Sequence, residues 1–452
     1  MASVIGCGQS YRPVVSAINP VGPAAQPQKF AVAISTPSAT APGLVTFVDF
    51  SGDTVLITAQ IGVNPYYLIL NSAGNTGYTL NSDHTLTTFD ISTQLLQSQV
   101  LQTTLLPGAN PASIFPEGAN TYVADPGLNA ISQFVGQPLN LQQELIPPAL
   151  AACPPSTPSM PVYTVGIASA PRVYAITEPV VTSACPGQVA TIETTSNTID
   201  PNPIPVGLNP VYGIMTADAK RAFIMNQGDG TVSVINAQTN LLDIVPPGAT
   251  NPIKVGQSPL WADFAPARSE MVVANAGDGV HAGSVSIISI PLCSATAQPG
   301  NPNCDLNNPV DAVGFGTVLA TVPVGINPRM VGVLQDTINS RAYVVNGGNP
   351  NLPCAAPSAT QPLGNCTVSV INLSTNTVTA TIPIPLNPVT GSTPNLNGHP
   401  NYIAVSNGTP TGKVYVTSPE SNFMTVIRTD IDKVDLTIPL QGNGVSVRVT
   451  QP

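Results

Sequence analysis

Charge is what this 452-residue chain has least of. Only 8% of its residues are Asp, Glu, Lys or Arg, against about 25% in an average globular protein. The balance is acidic, with 13 basic and 23 acidic residues and a formal net charge of −10. That excludes the Lys/Arg surface that nucleic-acid phosphates require, and equally a polybasic contact with anionic lipid. No apolar run reaches the length of a membrane-crossing helix. Histidines number three and tryptophan one, which leaves little material for acid–base chemistry. The sequence has no Gly-x-x-x-x-Gly-Lys phosphate loop, no Gly-x-Ser-x-Gly nucleophile elbow and no Cys-x-x-Cys pair.

What is present is core material and turns. The chain is 42% hydrophobic, enough to exclude disorder for want of a core. Its 49 prolines and 37 glycines imply many turns and little helix. Of the seven cysteines, Cys153, Cys185, Cys293, Cys304, Cys354 and Cys366 fall as three sequence-local pairs in Pro/Asn-rich loops. Six cysteines permit 15 connectivities; proximity and the strand map below select 153–185, 293–304 and 354–366. None lies near a histidine at zinc-ligand spacing. Disulfides place the chain in an oxidising compartment. Cys7, in Val4-Ile5-Gly6-Cys7, resembles a bacterial lipobox and is the candidate lipidation site. The Pro/Ala-rich stretch after it reads as a tether over residues 1–28. The six residues before Cys7 are too few for the charged and apolar regions of a signal peptide.

Beyond residue 28 the sequence repeats. Gly207-Leu-Asn-Pro, Gly256-Gln-Ser-Pro, Gly325-Ile-Asn-Pro and Gly398-His-Pro each open a unit of four β-type runs separated by turn residues, the alternation expected of strands. Weaker openings lie near residues 62, 108 and 161. Residues 29–61 supply only three strands, and the missing first one is found in Gly442–Thr450. These observations predict an all-β fold: residues 29–452 form a single β-propeller of four-stranded blades, eight by this count and seven if one upstream unit is misread. The C-terminal strand joins the N-terminal blade, closing the ring and removing free sheet edges.

The repeat resembles the YVTN family of β-propellers. The resemblance lies in Tyr343-Val-Val-Asn346, Phe223-Ile-Met-Asn226, Val272-Val-Ala-Asn275 and Tyr415-Val-Thr-Ser418, which precede strands such as Thr231–Asn236 and Thr367–Asn372. It covers residues 207–441 well and 29–205 loosely. It implies the propeller fold and a bacterial or archaeal surface location; it does not imply an activity.

For chemistry the candidates are sparse. His84, His281 and His399 read as turn or surface residues. Asp229-Gly230 and Asp278-Gly279 read as hairpin turns. Trp261 is expected between blades, and of Tyr66 and Tyr67 one is expected toward the core and one toward the channel. Some lactonase-like propellers hold a divalent cation in the central channel, and this chain is similar to them in architecture. The equivalent strand-2 ends here are Asn81, Asp125, Thr177, Asn226, Asn275, Asn346 and Ser418, with Glu178 and Glu420 just beyond. Asp125, Glu178, Glu420, Asn226, Asn275 and Asn346 are therefore the metal candidates, for Ca²⁺ if any, although Asn at a strand end is also an ordinary turn former.

The expected function is a binding or scaffold module without catalysis, recognising protein or glycan at a loop-rich face. It is expected outside the cytoplasm, as an outer-membrane, surface or periplasmic lipoprotein or as a secreted chain. Its membrane contact would run only through a lipid at Cys7, and no cofactor is expected. The alternatives are a propeller hydrolase or lactonase with a channel cation, and a self-assembling surface-layer, filament or envelope-complex subunit. Insertions 287–316 and 347–366 are long enough to be functional loops.

Overall fold

The computed structural model describes residues 29–150, 157–167, 170–179, 185–243, 250–291, 314–334, 341–384 except 356, 361 and 363, and 399–450 except 409 and 410. Eight antiparallel sheets follow one another around a ring. Blade 1 carries Phe30–Thr36, Pro42–Asp49 and Val55–Val63. Blades 2 to 8 begin at Pro65, Ser113, Ser159, Pro210, Pro259, Pro328 and Tyr402. The innermost strand of blade 1 is the C-terminal Asn443–Val449, paired antiparallel from Ala31↔Val449 to Thr36↔Asn443. The expected eight blades and the expected closure are both present. The only helical elements among the described residues are two three-residue turns, Gln97–Gln99 and Pro266–Arg268.

The blades form because their middle strands, such as Arg341–Asn346 and Thr367–Asn372, are rich in β-branched and aromatic residues and bury both faces against neighbouring blades, while outer strands such as Asn140–Leu145 stay largely exposed. The core is accordingly a series of clusters, each bridging two blades, such as Tyr212, Phe223 and Val234 against Ala262, Met271 and Val273. In blades 4 and 5 the outer strand is interrupted. Among the described residues, blade 5 has Leu241–Leu242 and Ile253–Lys254 there. The Asn251 side chain adds to this edge: its Oδ1 accepts from Val234 N at 3.0 Å, and its Nδ2 donates at 2.8 Å to Val234 O, which also accepts from Asp243 N at 2.9 Å.

A repeated latch joins the blades. The tyrosine three residues before the strand-2 end is buried, and its hydroxyl reaches the next blade's strand 3–4 turn. Tyr122 donates to Asn197 at 2.5 Å, Tyr174 to Asn240 at 2.9 Å and Tyr343 to Asp432 at 2.6 Å. Each acceptor sits in the left-handed region, with φ of 53°, 56° and 50°; Asn and Asp tolerate it best after glycine. Tyr415 faces Asp53 in the same way across the ring closure, where Lys413 Nζ also meets Asp53 at 2.6 Å in a buried ion pair.

Candidate functional site

Two regions of the ring combine unusual chemistry with a defined scaffold: the axis, and the face on which the blades open. The opening turn explains its own sequence. In Gly62-Val-Asn64-Pro, Gly207-Leu-Asn209-Pro and Gly325-Ile-Asn327-Pro, the asparagine has φ of 47°, 47° and 55°. Its carbonyl and that of the residue before it accept from the strand 2–3 turn of the same blade: Gln227 N donates to Asn209 O and Gly228 N to Leu208 O, both at 2.9 Å. The glycine is required because a Cβ there would overlap the strand-2 asparagine. At Gly325 it would lie 2.6 Å from Asn346 Cγ, and at Gly256 2.7 Å from Asn275 Nδ2.

Those asparagines are three of the metal candidates, and their amides turn into their own blades. Asn226 Nδ2 donates to Thr231 Oγ1 and Ser233 Oγ, both at 2.9 Å; Asn275 Nδ2 to Ser286 Oγ at 3.0 Å; Asn346 Nδ2 to Ser369 Oγ at 2.9 Å. Asp125 is buried, and its Oδ1 accepts from Asn110 N, Gly127 N and Leu128 N at 2.8–3.2 Å, which caps the local turn. Burial still raises its carboxyl above the usual range, and burial does the same to Glu178. Glu420 is half exposed and meets His399. Asp125, the three asparagine amides and Glu420 thus make local bonds within their own blades, while Oδ1 of Asn226, Asn275 and Asn346 is buried and accepts no hydrogen bond from the described residues. Among the described residues, one group of three His, Cys, Asp or Glu side chains has its ligand atoms within 4.8 Å of one another, and it is a different one: Cys354, Cys366 and His399.

The axis is built by a pattern that the strand reading did not isolate. The ladder between strands 1 and 2 slips by one residue just after Pro65, Pro161, Pro210, Pro259 and Pro328. Such a bulge re-aims the following side chain. The residues two after these prolines are Tyr67, Tyr163, Tyr212, Trp261 and Met330; Tyr402 follows Pro400 at the same spacing. Five of the six are aromatic, and they meet. Trp261 stacks on Tyr212 at 4.0 Å, and Tyr212 lies 5.0 Å from Tyr163. The Arg448 guanidinium sits 5.6 Å from the Trp261 ring and 5.5 Å from the Tyr402 ring; its Nε donates to Leu68 O at 3.2 Å. These groups come from blades 1, 2, 4, 5, 6 and 8, so only the ring axis brings them together. Desolvation pushes Tyr67 up to about 12 and raises Tyr163 and Tyr212 well above the usual phenol range, with Arg448 opposing each shift. Trp261 is packed between blades as expected. Tyr67 joins the axial cluster, whereas Tyr66 donates to Pro111 O at 2.6 Å.

Near the cluster lies Asp263, on the inner strand of blade 6 two residues after Trp261. Its carboxylate accepts from Val333 N at 2.7 Å and Phe264 N at 2.8 Å. Burial outweighs those two bonds and pushes it up to about 6. A repeated Pro-x-aromatic at the blade openings was the available sequence signal for the axis. Nothing in the sequence points to Asp263.

The opening face carries the 347–366 insertion in the strand 2–3 connection of blade 7. The expected Cys354–Cys366 disulfide is present, and both cysteines are buried. Asn365 ties the loop internally: its Oδ1 accepts from Asn349 N at 2.7 Å, and its Nδ2 donates to Leu352 O at 3.0 Å and Pro353 O at 3.1 Å. From blade 8, His399 places Nε2 3.3 Å from both Asn349 O and Leu352 O and Nδ1 3.1 Å from Glu420 Oε2. Cys185 is also disulfide-bonded. Its expected partner Cys153, the expected pair Cys293–Cys304, Cys7 with the rest of residues 1–28, and most of the 287–316 insertion lie outside the described residues. His84 and His281 are turn residues: His84 has φ of 58°, and His281 is exposed, 2.6 Å from Asp278. Between blades 5 and 6 the same face has a polar groove of about 590 Å³, lined by residues that include Asn209, Gln227, Asp229, Lys254, Gln257 and Ser258.

No protein-family model matches this sequence, and no curated protein sequence does. Solved structures do. The chain is similar to the dihydro-heme d1 dehydrogenase NirN in complex with DHE (TM-score 0.60, 11% identity, 94% of this chain and 75% of that one). It is similar to AztD from Citrobacter koseri (TM-score 0.57, 12% identity, 93% and 97%). A 6-phosphogluconolactonase candidate from Bacteroides fragilis aligns with TM-score 0.50 and 14% identity over 95% and 99%. At these identities the likeness is one of fold.

Proposed function

We propose that the chain is an exported, non-catalytic binding module that presents its opening face to a protein or a glycan. The observation that carries this reading is the 347–366 insertion. A disulfide, the Asn365 amide and the His399 bridge tie the described residues of this loop to one another and to blade 8. A preorganised loop loses little entropy when a partner docks. The polar groove beside Asn209 and Gln227 adds the amide and carboxylate groups that hydrogen-bond sugars or peptide backbone. The aromatic rings packed around Arg448 favour this reading over a channel hydrolase, because they take up the axis at that depth with Asp263 as the carboxylate beside them. The disulfides support an oxidising location, where a lipid at Cys7 would tether the ring.

The test replaces residues 351–364 with a short Gly-Asp-Gly turn, with Cys366→Ser, and compares both proteins on a glycan array and against envelope fractions. The intact chain is expected to bind a defined ligand and the shortened chain to lose it while keeping its circular dichroism. Equal binding by the shortened chain, or turnover of a lactone or ester panel by the intact one, would overturn the reading.

A further inference from the structure

The geometry points to a second state of the Cys354–Cys366–His399 cluster: once the disulfide is reduced, the two thiolates and the His399 imidazole form a site for a thiophilic divalent cation such as Zn²⁺. This inference does not depend on what binds the opening face. Three observations support it. The two sulfurs and a histidine ring nitrogen lie within 4.8 Å of one another, so a cation between them needs only side-chain rotation. The ligand set, two sulfurs and one imidazole, is one that zinc takes, with water completing the tetrahedron. Finally, the second shell already stands. Glu420 Oε2 lies 3.1 Å from His399 Nδ1, which orients the ring, so Nε2 would be the ligand, exchanging its present 3.3 Å contacts with Asn349 O and Leu352 O for the cation. A carboxylate on the far nitrogen is the usual support of a metal-bound histidine.

The two states exchange by balanced chemistry. A dithiol reductant gives two electrons to the Cys354–Cys366 bond and closes to its own disulfide, leaving two thiols. The cation displaces both thiol protons, and the thiolates bind it. A small-molecule disulfide reverses the sequence: it takes two electrons from the two thiolates and becomes a dithiol, the Cys354–Cys366 bond re-forms, and the cation is released. Because both cysteines are buried and His399 is about a fifth exposed, access runs along the histidine side, where the insertion meets blade 8. The site thus joins redox state to the way the insertion is held.

The test uses the full chain, oxidised or reduced with a water-soluble phosphine, titrated with Co²⁺ and then with Zn²⁺. The reduced wild type is expected to develop a thiolate-to-cobalt charge-transfer band at one equivalent, bleached by Zn²⁺, while the oxidised protein shows none. Cys354→Ser with Cys366→Ser is expected to abolish the band even though other cysteines remain. Glu420→Gln is expected to weaken zinc affinity by about 10- to 100-fold, as loss of a second-shell partner does. The inference is overturned if the reduced chain gives no such band, if the double serine variant keeps it, if His399→Ala leaves affinity unchanged, or if reduction unfolds the protein.

Discussion

Single side chains carry much of this fold's specificity, and the asparagine at the strand-2 end is the clearest case. Asn346 donates to the hydroxyls of Thr367 and Ser369 at 3.1 and 2.9 Å and excludes a Cβ at residue 325. Gly325→Ala is therefore expected to destabilise by about 1–3 kcal/mol, the usual cost of overpacking. Asn346→Ala, which strands two buried hydroxyls, should cost about 1–3 kcal/mol; urea unfolding measures both. Asp263 gives a pH signature. Its carboxyl is pushed up to about 6 by burial, above the unfolded value of about 3.9. The folded state then binds the proton more tightly, so this group's contribution to stability is fully present below about pH 4 and is lost as pH rises through about 6. The unfolding free energy of the wild type, measured relative to that of Asp263→Asn, should fall across that window and stay level above it. A flat difference would refute the assignment. The asparagines were visible in the sequence as a repeat, but their work was not. Metal ligation and hydrogen bonding within a blade call on the same residue type, and only the folded structure shows that the amide nitrogens are spent on the hydroxyls of the next strand.

At the scale of the element, local signals were read well where backbone chemistry alone sets them. Gly-x-Asn-Pro needs a left-handed residue followed by a proline that starts a strand, and Asn64, Asn209 and Asn327 supply it. The 354–366 pairing was legible because both cysteines bracket one hairpin connection. Its loop closes over a sequence separation of 12, for which chain entropy gives about 3 kcal/mol; Cys354→Ser with Cys366→Ser should lower stability by about that amount and leave the blades folded. The broken outer strand of blade 5 was not legible. Asn251 adds to this edge only because the fold delivers its amide to Val234. Asn251→Ala should cost about 1–2 kcal/mol by leaving Val234 N unmet.

For the whole molecule, closure and axis are one problem. Asn443–Val449 pairs with Phe30–Thr36 and also delivers Arg448 to the aromatic cluster. Deleting residues 443–452 should therefore open a free sheet edge and uncover the rings together, read as a lower melting temperature and as aggregation in size-exclusion chromatography. Trp261, the only tryptophan, reports on the same place. Its native emission should be blue-shifted and poorly quenched by acrylamide, and Arg448→Ala should shift it to the red. The sequence by itself determined the all-β class, the eight units, the shared terminal blade and the 354–366 disulfide, because turns, periodicity and hairpin-local cysteines are properties of neighbouring residues. Only the tertiary structure decided what converges. Six blades send side chains to one axis, and His399 arrives beside two cysteines of another blade, because ring closure, not spacing along the chain, sets those distances.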